Sequence, residues 1–228
     1  MNVLKGKKLV INGDSVCQGF DEHGCFGLYI AERNEMQYQN IAIGGATVAK
    51  GTMRFSQSQQ KEVARHWICA TIDQMDADAD YVLVDGGVND ASLDVPVPLG
   101  VISEGYSAEL DETTFYGAFE SMLRQLTIRF AGKKIGYIAL HKMTDGYRSD
   151  RPAPNYYHAA KECCEKWGVP FLDLNTTVPP FAYFNADGLP ELYALRLQYT
   201  KDGDGWHPSK EGYLKYYCDK IEAWMKTL

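Results

Sequence analysis

A serine placed where a strand ends, a histidine with a carboxylate three residues ahead of it, and amide donors nearby are the parts from which acyl transfer is built. This 228-residue chain carries a candidate for each. Ser15 stands in Gly13-Asp14-Ser15, directly after the apolar run at 8–12, and the glycine permits the tight turn that projects a hydroxyl at a strand's end. Taken alone, the tripeptide is also ordinary turn composition. A serine hydroxyl is a poor nucleophile at neutral pH and needs a base that is itself oriented by a third group. Among the five histidines, His207 stands in Asp204-Gly205-Trp206-His207-Pro208, a spacing that lets both side chains leave a turn on the same side. Asp202 is a rival carboxylate, but five residues from His207 it fits less well. His66 and His158 read as helix-surface residues, and His141 follows a strand and could line the site.

An oxyanion needs donors aimed at it, and these often contribute the largest electrostatic effect. Gly44-Gly45, after the second apolar run, could offer a backbone N–H with no side chain in the way. Gly87-Val88-Asn89-Asp90, after the third, could offer the Asn89 amide. Each taken singly also suits a turn. Asp202-Gly-Asp204-Gly begins like a calcium loop but continues with Trp206 and His207 where a ligand and the loop glycine belong. With no HExxH, no Walker loop and no Gly-x-Gly-x-x-Gly after a strand, the sequence implies no metal, no nucleotide and no other cofactor.

These residues need a frame. Short apolar runs at 8–12, 37–43, 81–85, 134–140 and 169–173 alternate with helical stretches, the pattern of βαβ units in an α/β protein with a parallel sheet. Phe115, Phe119, Met122, Leu123, Leu126 and Phe130 make one stripe at 3.6 residues per turn, closed by Gly132. Val63, Ala64, Trp67 and Ile68 predict a helix before the third strand. Tyr157, Ala160, Cys164 and Trp167 predict another before the fifth, and Ile221 and Trp224 a last one after Ser209. Two stretches, 91–112 and 174–203, read as long loops, and both follow the carboxyl end of a strand, where open α/β sheets bind ligands.

The length predicts one domain, 1–228, large enough to fold around a core without disulfides. A net charge of −7 with no basic block makes nucleic acid an unexpected partner. No apolar run reaches the length of a membrane span and no leader is visible, which predicts a cytoplasmic protein. Cys17, Cys25, Cys69, Cys163, Cys164 and Cys218 show no CxxC spacing and are expected to be buried thiols.

Together, Gly13-Asp14-Ser15, Asn40-Ile-Ala-Ile-Gly44-Gly45, Gly87-Val-Asn89-Asp90 and Asp204-Gly-Trp-His207-Pro208 resemble the four motifs of the SGNH hydrolases, the GDSL esterase and lipase family, in order and at family-like spacing. The resemblance implies a flavodoxin-like three-layer α/β/α sandwich with a five-stranded parallel sheet. It also implies Ser15 as nucleophile, His207 as base and Asp204 as its orienting partner, with an oxyanion hole made by Ser15, Gly45 and Asn89. Gly45 fits better than Gly44, lying five residues after Asn40. Val16-Cys17-Gln18 departs from the family's usual residues there, so Cys17 could shape the pocket floor.

The function so implied is hydrolysis of a carboxylic ester of a small molecule or carbohydrate. Tyr106, Phe181, Tyr183, Phe184 and Tyr193 in the long loops could stack on sugars and favour a small-acyl carbohydrate esterase; equally, they could anchor the loops. Lysophospholipid or thioester hydrolysis, acyl transfer to an alcohol, and a catalytically silent binding protein are the alternatives.

Overall fold

The computed structural model describes residues 2–19, 24–92, 97–143, 154–181 and 190–228. Seven strands lie among them: β1 (Lys8–Asn12), β2 (Gln37–Asn40), β3 (Met53–Ser56), β4 (Lys61–Ala64), β5 (Tyr81–Val84), β6 (Lys134–Ala139) and β7 (Phe171–Asp173). Five form a parallel sheet in the order β2-β1-β5-β6-β7, while β3 and β4 pair only with each other as an antiparallel hairpin. Numbered along the chain, the sheet strands read 2-1-3-4-5, the flavodoxin-like order, whose switch point lies between β1 and β5.

The helices are α1 (Ser15–Gln18), α2 (Phe26–Asn34), α3 (Val88–Ser92), α4 (Phe115–Arg129), α5 (Pro154–Trp167) and α6 (Pro190–Tyr199). A last helix runs through α7 (Lys210–Gly212), a π-helical turn (Tyr213–Cys218) and α8 (Asp219–Met225). Side chains alternate across a strand, so each apolar run feeds two cores. Val10, Val82, Val84, Tyr137 and Ala139 pack with α4, α5 and a 3-10 helix at Ile68–Gln74. Leu9, Ile11, Leu83, Ile138 and Leu140 pack on the other face with α2 and the last helix. Burial on both faces is why these strands are continuously apolar. The result is the expected α/β/α sandwich.

The stripe predicted around Phe115 is α4, capped by the Thr114 side chain, which accepts from the Gly117 N–H, and followed by Gly132 at φ +77°. The helices predicted around Tyr157 and Ile221 are α5 and the last helix.

Other expectations are corrected. The run at 37–43 is a strand only to Asn40, whose side-chain amide donates to the carbonyls of Cys17 and Gln18 and turns the chain out of the sheet. The helix expected around Val63 and Ala64 is strand β4, Trp67 forms an isolated bridge with Thr47, and Ile68 opens the 3-10 helix. His66 is accordingly exposed on a connecting segment, whereas His158 is exposed on α5. The stretch 174–203 contains α6, and Tyr183 and Phe184 fall outside the described residues.

The segment 97–112 has no regular structure but is bonded along its length. Val97 N–H donates to the Asp90 carbonyl, and Pro98 and Leu99 carbonyls accept from Phe115 and Tyr116. Ser103 donates through N–H and hydroxyl to the buried Glu120 carboxylate, which also accepts from Trp167 Nε1 and Lys166. Tyr106 closes the clasp, edge-on to Trp167 and bonded to the Lys166 carbonyl.

Candidate active site

The sheet's carboxyl edge gathers the motif residues. Gly13 sits at φ +155°, and a Cβ there would come within 1.6 Å of Asp85 Oδ1, so only glycine lets β1 end this close to β5. Asp14 then caps α1, its Oδ1 accepting from the Val16 N–H at 2.9 Å, which makes Ser15 the first residue of that short helix. From below, Tyr213 in the π-helical turn donates to the Val16 carbonyl.

Across the edge, α6 and the following turn present the histidine. Ser15 Oγ lies 2.9 Å from His207 Nε2, and His207 Nδ1 lies 2.5 Å from Asp204 Oδ2. Both bonds are satisfied at once by the neutral tautomer that carries its proton on Nδ1. The other Asp204 oxygen accepts from the N–H groups of Trp206 and His207, so one carboxylate both shapes the turn and holds the ring. Gly203 and Gly205, at φ +70° and +80°, make the turn possible. Arg196 clamps it from α6 by donating to the Gly203 and Asp204 carbonyls. Burial alone would raise the Asp204 carboxyl, but the His207 ring and the two N–H donors outweigh it and hold it below the usual range. Asp202, exposed at φ +51°, is not part of this chain of bonds.

The donor candidates lie beside Ser15. A Cβ on Gly44 would stand 3.7 Å from Ser15 Cβ. Gly44 N–H is taken by Gln18 Oε1 at 2.8 Å, whereas the N–H groups of Ser15 and Gly45 have no partner among the described residues. Gly45, at φ +75°, has its carbonyl bonded by Arg65 from beyond β4. The Asn89 amide donates to the Ala46 carbonyl at 2.9 Å, which fixes its rotation at the start of α3.

Behind the serine lies a feature without a motif to announce it. Asp14 and Asp85 are both buried, Asp85 Oδ1 accepts the Asp14 N–H at 2.8 Å, and the Oδ2 atoms of both have no partner among the described residues. Burial raises the Asp14 carboxyl to about 6 and Asp85 well above the usual carboxylate range, where the neighbouring Asp14 charge adds to the rise. Two carboxyls so close in a dry site do not both ionise. The folded protein therefore binds more protons here than the unfolded chain, and the stability this pair contributes is lost as pH rises through the folded-state values. Asp85→Asn removes that loss. The melting temperature of the variant minus that of wild type is expected to rise by several degrees between pH 5 and pH 9; a difference flat or falling with pH would mean that Asp85 stays ionised throughout.

Cys17 lies buried under this pair and does not reach a pocket surface, and all six cysteines are buried thiols. His141 is buried behind the Asp204–His207 turn, its Nδ1 bonded to Tyr217 and its ring edge-on to Phe181. Burial lowers it to about 4, so it packs as a neutral ring. Phe181 is buried and Tyr106 belongs to the Glu120 clasp, so these two aromatics anchor their segments, while Tyr193 is exposed. Arg65, Gln18 and Asp85 are the site neighbours that motif spacing did not reveal.

Residues 11–215 match the sequence profile of the GDSL-like lipase/acylhydrolase family. No match is found among the curated proteins. Similar solved structures include a protein of Lactobacillus plantarum (23% identity, 98% of each chain, TM-score 0.73). A lipase/acylhydrolase of Enterococcus faecalis is 20% identical over 97% of this chain and 96% of its own, with a TM-score of 0.60. A mutant of an acetyl-xylooligosaccharide esterase from Geobacillus is 16% identical over 99% and 96%, at 0.61. At these identities the likeness is one of fold.

Proposed function

The chain belongs to the GDSL-like lipase/acylhydrolase family, and from that premise we propose that it hydrolyses a carboxylic ester through an acyl-serine intermediate. The observation that carries the reading is the unbroken chain of hydrogen bonds from Ser15 Oγ through His207 to Asp204. His207 Nε2 takes the hydroxyl proton as Ser15 Oγ bonds to the ester carbon. The carbonyl electron pair moves onto oxygen and meets the N–H groups of Ser15 and Gly45 and the amide of Asn89. Collapse breaks the bond to the alcohol oxygen, which receives the proton from His207. Water then repeats the attack and frees the acid. Asp204 keeps the ring in the accepting tautomer and stabilises its charged form.

A short acyl group suits the surroundings. A pocket of about 60 Å³, lined by Gly87, Val88, Phe115, Leu140 and His141 among others, lies at the carboxyl ends of β5 and β6; Ser15 and His207 do not line it, so it supports a short acyl group only as the space beyond Val88 and Asn89. The acetyl esterase among the structural neighbours agrees with a small acyl group, but the buried Phe181 and clasped Tyr106 remove two of the aromatics that would have stacked on a sugar.

Mass spectrometry of protein quenched during turnover of p-nitrophenyl acetate is expected to find an acetyl group on the peptide containing Ser15. Turnover should then decline along the series from acetate to long acyl chains. Label on another residue, or a preference for long chains, would overturn respectively the nucleophile and the short-acyl reading.

A further inference from the structure

We infer that the β3–β4 hairpin is a recognition arm for negative charge: the ester opened at Ser15 carries an anionic group, carboxylate or phosphate, that lies against a cationic face made by Arg65, Arg54 and Lys61. The inference rests on the acyl-serine reading only for the position of the ester carbonyl.

The face follows from the register. In an antiparallel ribbon, residues directly opposite share a face, and the face alternates along each strand. Arg54 pairs with Val63 and Ser56 with Lys61, while Met53 pairs with Ala64 and Phe55 with Glu62. Arg65 N–H donates to the Thr52 carbonyl and extends the ladder by one rung. Arg54, Lys61 and Arg65 therefore share one face, and the hairpin's single carboxylate, Glu62, stands on the other with Met53 and Phe55.

The cationic face is the one turned toward the site. Arg65 Nη1 donates to the Gly45 carbonyl at 2.9 Å and lies 3.4 Å from where a Gly45 Cβ would be, one residue from the Gly44 that flanks Ser15. From there, Arg54 is the diagonal neighbour of Arg65, and Lys61 lies one further rung out.

These three cations lack what usually accompanies such charges. None is within ion-pair distance of a carboxylate among the described residues. Arg65 Nε is buried without a partner among the described residues. Burial, then the charge of Arg54, pulls the Arg65 guanidinium below its ordinary value, so the pair repels. The acidic group that acts on Arg65 from inside is Asp90, whose two oxygens are already taken by the Val48 and Ala49 N–H groups. A protein of net charge −7 thus keeps unneutralised positive charge beside its candidate nucleophile. An anion placed there relieves the repulsion, and a guanidinium fork fits carboxylate and phosphate oxygens in a bidentate way.

The test compares charged and neutral esters in one enzyme preparation. p-Nitrophenyl hemiglutarate against p-nitrophenyl valerate puts the charge on the acyl side. p-Acetoxybenzoate and p-acetoxyphenyl phosphate against methyl p-acetoxybenzoate put it on the alcohol side and separate carboxylate from phosphate. Wild type is expected to favour the charged member of at least one pair by about tenfold in kcat/KM, a preference that shrinks in high salt. Arg54→Gln and Arg65→Gln should each cut that ratio severalfold. Because the ratio is taken within one preparation, loss of folded protein cancels.

A ratio near one in every pair, or one that neither substitution changes, overturns the inference. Undiminished hydrolysis by Ser15→Ala would instead overturn the nucleophile and leave the charge ratio readable. Should no ester in the panel turn over, calorimetric titration with p-hydroxybenzoate and p-hydroxyphenyl phosphate takes its place: binding severalfold weaker in Arg54→Gln is expected, and no binding, or no difference, overturns the inference.

Discussion

Turnover of p-nitrophenyl acetate is expected to fall by about 10⁴-fold or more when Ser15 is replaced by alanine, a loss of about 5.5 kcal/mol or more of transition-state stabilisation. The proposed oxyanion donors survive the change, because the contribution proposed for Ser15 to that group is its backbone N–H. What disappears is the atom proposed to bond to the acyl carbon. The cost to the fold should be small: among the described residues the Ser15 hydroxyl is bonded to His207 alone, and the short helix is capped by Asp14, which the substitution leaves in place. A melting temperature within about 2 °C of wild type is therefore expected, so that lost activity cannot be assigned to lost structure. A variant that is folded and retains a tenth of the activity would remove Ser15 as nucleophile.

Asp204→Asn should cost about 10⁴-fold in kcat/KM by a different route. The asparagine carbonyl oxygen can still accept from the Trp206 and His207 N–H groups, so the turn persists. The other atom facing His207 Nδ1 becomes an NH₂ donor. It can be accommodated only if Nδ1 gives up its proton, which moves the proton to Nε2, the nitrogen that must accept from Ser15. The ring is then correctly placed and wrongly protonated. Asp202→Asn, on the exposed neighbour, supplies the control and should leave turnover within about twofold of wild type. Kinetics of the two variants on p-nitrophenyl acetate decide the matter: equal effects, or a loss at Asp204 below tenfold, would exclude it as the orienting carboxylate.

The parts of this protein that could be read in advance are those under tight local constraint. β1, β5 and β6 are buried on both faces, so their apolar runs have few other uses. Gly13, Ser15, Asp204 and His207 lie in short segments whose neighbours are also their structural partners, as when Asp204 shapes the turn that carries His207. The hairpin is concealed in the sequence because Val63, Ala64, Trp67 and Ile68 mimic a helical stripe. Its own period of two is carried by Arg54, Ser56 and Lys61 against Met53 and Phe55, and no core lies behind it to make one face apolar. α6 was hidden for a related reason, since among its residues Tyr199 alone is buried. Contacts across the edge left no local trace at all. Arg65 on the Gly45 carbonyl and Asp85 on the Asp14 N–H depend on how separate segments arrive together, which neither periodicity nor motif spacing encodes.

The hydrogen bond between Ser15 and His207 joins residues 192 apart in the chain. During synthesis the serine and its glycine turn emerge first, and the strands that flank them follow. Through all that time the hydroxyl lacks the histidine that bonds it in the folded protein. The histidine turn arrives with α6 and the last helix, whose tyrosines complete the floor beneath the serine. A chain shortened before His207 thus holds the serine without its hydrogen-bond partner, and under the proposed mechanism ester cleavage waits until the histidine turn has docked against the serine turn.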